Sequence, residues 1–173
     1  MHNYSLYRQY LREMQWQSDF SELKPMHRNW LSLQNSLTAA LKQKCNEFKV
    51  LTLFEGWIMT VQEEQTGFHC DDEQCWCWLR EVVLSGDGQE WIFARTFIPK
   101  RTFAFYSEEI FRLGEMPLGA WLFQQNVQRT EIKWGENHQH YARCSTLSLQ
   151  QHPFFVSELF LKDFWRKLKH PNV

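Results

Sequence analysis

Apolar positions change their spacing several times along the chain, and each change marks an element. Residues 4–16 carry a weak helical pattern and read as an arm. "KPMHRNWLSL" is broken at Pro25. "LQNSLTAALKQKC" reads as a helix, with Asn35 or Ser36 able to cap it and Leu37 and Leu41 on one side. "FKVLTLFEGWIMTVQ" alternates and is rich in β-formers, which predicts a strand with an irregularity at Gly56. "CWCWLREVVL" and "EWIFARTFIP" flank "SGDGQ", the clearest local signal in the chain: a β-hairpin turning at Asp87-Gly88. "SEEIFRLGEMPLGAWLFQ" predicts a helix, a break at "GEMP" and a short helix begun by Pro117. "HYARCSTLSL" and "PFFVSELFL" predict two more strands.

Strands dominate the middle and end, with helices between them. That order predicts a single α+β domain over residues 1–173, built on an antiparallel sheet. Residues 1–27 read as a peripheral arm and residues 162–173 as a basic, peripheral tail.

Parity along the strands brings in the chemistry. Side chains alternate across a strand, so Trp76, Trp78, Val82 and Leu84 share a face, and Arg80 lies among them. Arg95 lies in the same way among Trp91, Phe93 and Phe97, and Glu158 among Phe154, Val156 and Phe160. A two-residue turn at Asp87-Gly88 pairs Leu84 with Trp91, Val82 with Phe93, Trp78 with Phe97 and Arg80 with Arg95. Like charges directly opposite one another are destabilising. One acid, Glu158, can satisfy one arginine as an internal ion pair. Two arginines and one acid leave a surplus positive charge among aromatics, which calls for an anionic ligand. Arginine matches a planar carboxylate with two parallel hydrogen bonds.

Composition removes several function classes. The 173 residues suffice for a core without disulfides or metal. Aromatic residues make up 16% of the chain, enough for a dense core or an aromatic-walled pocket. A formal net charge of −1 gives no bulk attraction to nucleic acid or membrane, and no run of 18 apolar residues predicts a membrane span. The polar start "MHNYSLYRQYLREMQW" is unlike a secretory signal, so cytoplasmic residence is expected. The stretch "HCDDEQCWCWLR" holds three of the five cysteines, but Cys70, Cys75 and Cys77 do not have a zinc spacing, and His138 and His140 could complete a site only by coincidence of folding. No metal and no cofactor are therefore expected. Nucleotide-binding, nucleophile-elbow and metalloprotease motifs are absent.

The same segments resemble a known family. "WLREVVLSGDGQEWIFARTFIP" is similar to the central hairpin of the chorismate pyruvate-lyases, the 4-hydroxybenzoate synthases of ubiquinone biosynthesis. "LGEMPLGAWLF", "ARCSTLSL", "PFFVSELFL" and "NSLT" resemble further segments of that family, in the right order from about Trp30 to Leu161. The resemblance implies an antiparallel sheet with helical flaps over a buried site. It implies that Arg80 binds a carboxylate, that Leu37 and Leu118 contact the ligand from the flaps, that Glu158 meets the ring hydroxyl, and that Arg95 supports the anion site. Glu158 then either orients that hydroxyl or assists loss of the proton from its carbon. The implied substrate is chorismate, and a monomer is expected. Leu37 and Ala94 stand where the family often has Met and Gly, and Asn35 replaces an acid. The competing expectation is a non-enzymatic sensing domain of the same fold. Such domains follow a DNA-binding winged helix, for which the 27 residues before the matched region are too few.

Overall fold

The computed structural model describes residues 4–61, 74–137 and 140–170. Its elements, in chain order, are α1 (Tyr4–Arg12), α2 (Pro25–Leu31), α3 (Leu37–Lys42), β1 (Phe48–Val61), β2 (Gln74–Gly86), β3 (Gln89–Pro99), α4 (Lys100–Arg112), α5 (Leu118–Leu122), β4 (Gln128–Arg129), β5 (Lys133–Asn137), β6 (His140–Leu149), β7 (His152–Phe160) and α6 (Lys162–Lys169). The strands form one antiparallel sheet in the order β1-β2-β3-β7-β6-β4, with β5 also on β6. This is the α+β fold expected from the segment order.

The hairpin turns where expected. Asp87 and Gly88 both adopt positive φ, 50° and 80°, as a two-residue primed turn requires. The Asp87 carboxylate accepts from the backbone N–H groups of Asn46 and Glu47, at 2.9 and 3.0 Å, and so ties the turn to the start of β1. At the third pair from the turn the expected register fails. Gly86 pairs with Gln89 and Ser85 with Glu90, but Leu84 pairs with Ile92, leaving Trp91 as an extra residue. This bulge lets the Trp91 ring lie over Gly86, where a Cβ would come within 2.2 Å of it. On its other side Trp91 meets Phe164 of α6. The bulge reverses the facing of β3 relative to β2. Arg80 pairs with Thr96, and Arg95 pairs with Glu81. In β1 the irregularity falls between Thr52 and Phe54, not at Gly56.

Two layers of helix cover the sheet. Leu11, Met14 and Tyr7 of the N-terminal segment pack with Val83, Phe93 and Leu159 on one face. Residues 4–16, part of the segment expected to be peripheral, therefore supply the cover of that face. The basic tail is likewise anchored: α6 buries Phe164 and Trp165 against Trp91 and Phe160. The opposite face lies beneath two helical hairpins, α2–α3 and α4–α5. Pro25 opens α2 instead of ending an element, as its fixed φ and missing N–H allow at a first turn. Ser36 caps α3 by accepting from the Ala39 N–H at 3.2 Å. The α4–α5 break at residues 114–116 comes where expected, with Gly114 at φ 52°.

Candidate functional site

Beneath the two hairpins the sheet presents a cavity. It is lined by Arg80 and Val82 of β2, Ala94 of β3, Glu158 of β7, and Leu37 and Leu118 of the covering hairpins. Each leucine is the first residue of its short helix. Its backbone N–H therefore stands outside the helix's own hydrogen-bond ladder. Four of the five expected site residues thus come together: Leu37, Arg80, Leu118 and Glu158.

Arg80 is only 2% exposed. It forms an ion pair with Glu55, its cross-strand neighbour on β1. Its Nη2 donates to the carbonyls of Gly114 and Met116, at 2.7 and 3.1 Å, in the turn between α4 and α5. Its Nε is buried and has no acceptor among the described residues. Glu158 faces Arg143, its neighbour on β6, whose Nε donates to the carboxylate at 2.5 Å. Arg143 is fully buried, and its Nη1 donates to the carbonyls of Leu33 and Trp30, at 2.8 and 3.3 Å, where α2 ends. Each covering hairpin is therefore held to the sheet by an arginine that also binds a carboxylate.

Arg95 is not in this cavity. The Trp91 bulge turns it to the opposite face, where its Nε donates to Glu81 at 2.8 Å and its guanidinium lies 4.9 Å from the Phe97 ring centre. Arg8 of α1 donates to the same carboxylate through Nε and Nη2, at 2.9 and 2.6 Å. The expected pairing of Arg80 with Arg95 is corrected accordingly. Arg95 belongs to an ion-pair cluster that holds α1 on the sheet.

Strand parity in the sequence did not single out Glu55, Glu81, Arg143 or Arg129. Arg143 carried the same signal as the others, a charge on a strand face with Leu147, inside "ARCSTLSL". Arg129 lies on a two-residue strand with no period to read, yet it lines the cavity. The first part of the cysteine-rich stretch, residues 69–73 with Cys70, lies outside the described residues. Cys77 is a reduced, buried thiol on the face of β2 opposite Arg80.

Comparison with known proteins gives a consistent assignment. A family model described as chorismate lyase matches residues 10–170. A probable chorismate pyruvate-lyase of Pasteurella multocida is 38% identical over 165 residues, spanning 93% of this chain and 94% of that protein. A chorismate pyruvate-lyase of Pectobacterium atrosepticum is 34% identical over 157 residues, spanning 88% and 87%. Among solved structures, that of PhnF from Mycobacterium smegmatis superposes with a TM-score of 0.54 at 14% identity, covering 77% of this chain and 66% of that one. That likeness is one of fold alone.

Proposed function

The chain belongs to the chorismate lyase family, and from that premise we propose how its cavity works. The protein converts chorismate to 4-hydroxybenzoate and pyruvate. Arg80 takes the ring carboxylate through its unpartnered Nε edge, with Glu55 holding the other side of the guanidinium. The first-turn N–H groups of Leu37 and Leu118 face the same end of the ligand from the two hairpins. Glu158, held by Arg143, accepts from the ring hydroxyl. Ala94, lacking a long side chain, leaves room for the ring above the sheet.

The reaction asks little covalent chemistry of the protein. The ether C–O bond breaks with its electron pair going to the departing oxygen. The ring loses the proton on its hydroxyl-bearing carbon and becomes aromatic, and that proton ends on the enolpyruvyl fragment, which becomes pyruvate. Aromatisation makes the step downhill. The site's task is to orient the ether and to stabilise charge moving onto the departing oxygen in a cavity closed to water. We place the work in the cytoplasm, in a monomer, toward the ubiquinone ring. No described helix is long and apolar enough to cross a membrane.

The observation that carries this reading is a buried arginine and a largely covered glutamate facing one cavity beneath two helical hairpins. Purified protein given chorismate alone should release 4-hydroxybenzoate and pyruvate in equal amounts. Tight binding of 4-hydroxybenzoate without turnover would overturn it.

A further inference from the structure

Chorismate carries two carboxylates, and the site described so far accounts for one. Among the described residues, the three arginines near the cavity differ in their partners: Arg80 has Glu55 and Arg143 has Glu158, and the third, Arg129, is part-buried. Its Nη1 donates to the Ser145 hydroxyl at 2.6 Å, and its guanidinium lies 5.3 Å from the Phe123 ring centre. No acid pairs with it among the described residues, and its Nε is buried without an acceptor. The side chain lines the same cavity as Arg80 and Glu158.

The strand order sets the spacing. Arg80 lies on β2 and Arg129 on β4, with β3, β7 and β6 between them. Four steps of about 4.8 Å separate their backbones by about 19 Å. Two long side chains reaching inward close much of that gap and leave a ligand-sized interval. Glu158, on β7, stands at its middle. A ligand with a carboxylate on Arg80 and its hydroxyl on Glu158 therefore directs the substituent beside that hydroxyl toward Arg129.

We propose that Arg129 receives the enolpyruvyl carboxylate of chorismate, the one that leaves with pyruvate. This rests on the reading of the cavity as a chorismate site. An arginine there holds the substrate at both ends, so the ether lies fixed between two anchors. As the C–O bond breaks, the electron pair moves onto an oxygen next to the carboxylate that Arg129 holds, and its charge is stabilised there. The product lacks this carboxylate. Arg129 therefore distinguishes substrate from product, whereas Arg80 and Glu158 hold both. Burial lowers the Arg129 pKa to about 10, with Glu158 opposing that shift and Arg143 adding to it. An anion at the guanidinium relieves the cost of that burial.

The test separates substrate from product. In Arg129→Met, kcat/KM for chorismate should fall by about 30-fold to several thousand-fold, the range for removing one partner of a buried charge pair. The inhibition constant of 4-hydroxybenzoate should stay within about twofold of wild type, which also shows that the cavity is still folded. Arg129→Lys, which keeps the charge but loses the fork, should recover part of the rate. A second probe needs no turnover. 3-(Carboxymethoxy)-4-hydroxybenzoate carries a second carboxylate on an ether beside the hydroxyl. Its affinity, unlike that of 4-hydroxybenzoate, should drop in Arg129→Met. Equal losses for both ligands, or no loss for either, would overturn the role of Arg129. Absence of turnover in the wild type would instead sink the chorismate reading on which it rests.

Discussion

Glu81→Ala tests the register that separates Arg95 from the cavity. Glu81 is 1% exposed and accepts from Arg95, itself 8% exposed, and from Arg8. Removing the carboxylate leaves Arg95 without its acid inside the protein. Breaking a buried pair in this way costs about 3–5 kcal/mol. The Arg8 side chain is 36% exposed and can turn to water, so its share is at most about 1 kcal/mol. A domain's whole stability is about 5–15 kcal/mol, so the loss is a large fraction of it. At a slope of about 2 kcal/mol/M, the urea midpoint should fall by roughly 1.5–2.5 M. Glu81→Ala combined with Arg95→Met should regain part of this, because the stranded charge is gone. Arg95→Met alone leaves Glu81 paired with Arg8, and its affinity for 4-hydroxybenzoate by titration calorimetry should remain within about twofold of wild type. A tenfold weaker affinity in Arg95→Met, with an unchanged urea midpoint, would place Arg95 in the cavity and refute the bulge argument.

Three further outcomes are expected. Arg80→Met should weaken both chorismate and 4-hydroxybenzoate binding by about 2–5 kcal/mol, since both keep the ring carboxylate; calorimetry and steady-state inhibition would read it. Ser36→Ala removes the α3 cap at a cost of about 1 kcal/mol and loosens the hairpin that carries Leu37; 4-hydroxybenzoate inhibition should weaken by about fivefold with only a small change in melting temperature. Burial pushes the Cys144 thiol up to about 12, so at pH 8 it is neither ionised nor accessible; alkylation followed by peptide mapping should label it only after denaturation.

Much of the architecture was legible because local signals agreed with the final fold. The Asp87-Gly88 turn, the Ser36 cap and the "GEMP" break each encode a backbone conformation within a few residues. The strands β6 and β7 were long enough to show their period. The anchoring of the two ends was not legible. Residues 4–16 have a weak pattern because their apolar side cooperates with Val83 and Phe93, far along the chain. Pro25 read as a break because the same residue that stops a helix from within also starts one.

The site was half legible for one physical reason. A charge among apolar residues on a strand face shows that something must neutralise it, but not which face it occupies relative to the next strand. That depends on every residue in the hairpin pairing one to one. Trp91 breaks the count because its ring needs the space over Gly86 and the contact with α6, and neither is visible in the local sequence. One extra residue sends Arg95 across the sheet to Glu81 and replaces it beside Arg80 by Thr96. The expectation of surplus positive charge in the cavity survives this correction, with a different residue supplying it. Arg129 comes from a strand too short to have a face in the sequence, and only the closure of the sheet from β2 to β4 brings it into the cavity with Arg80 and Glu158.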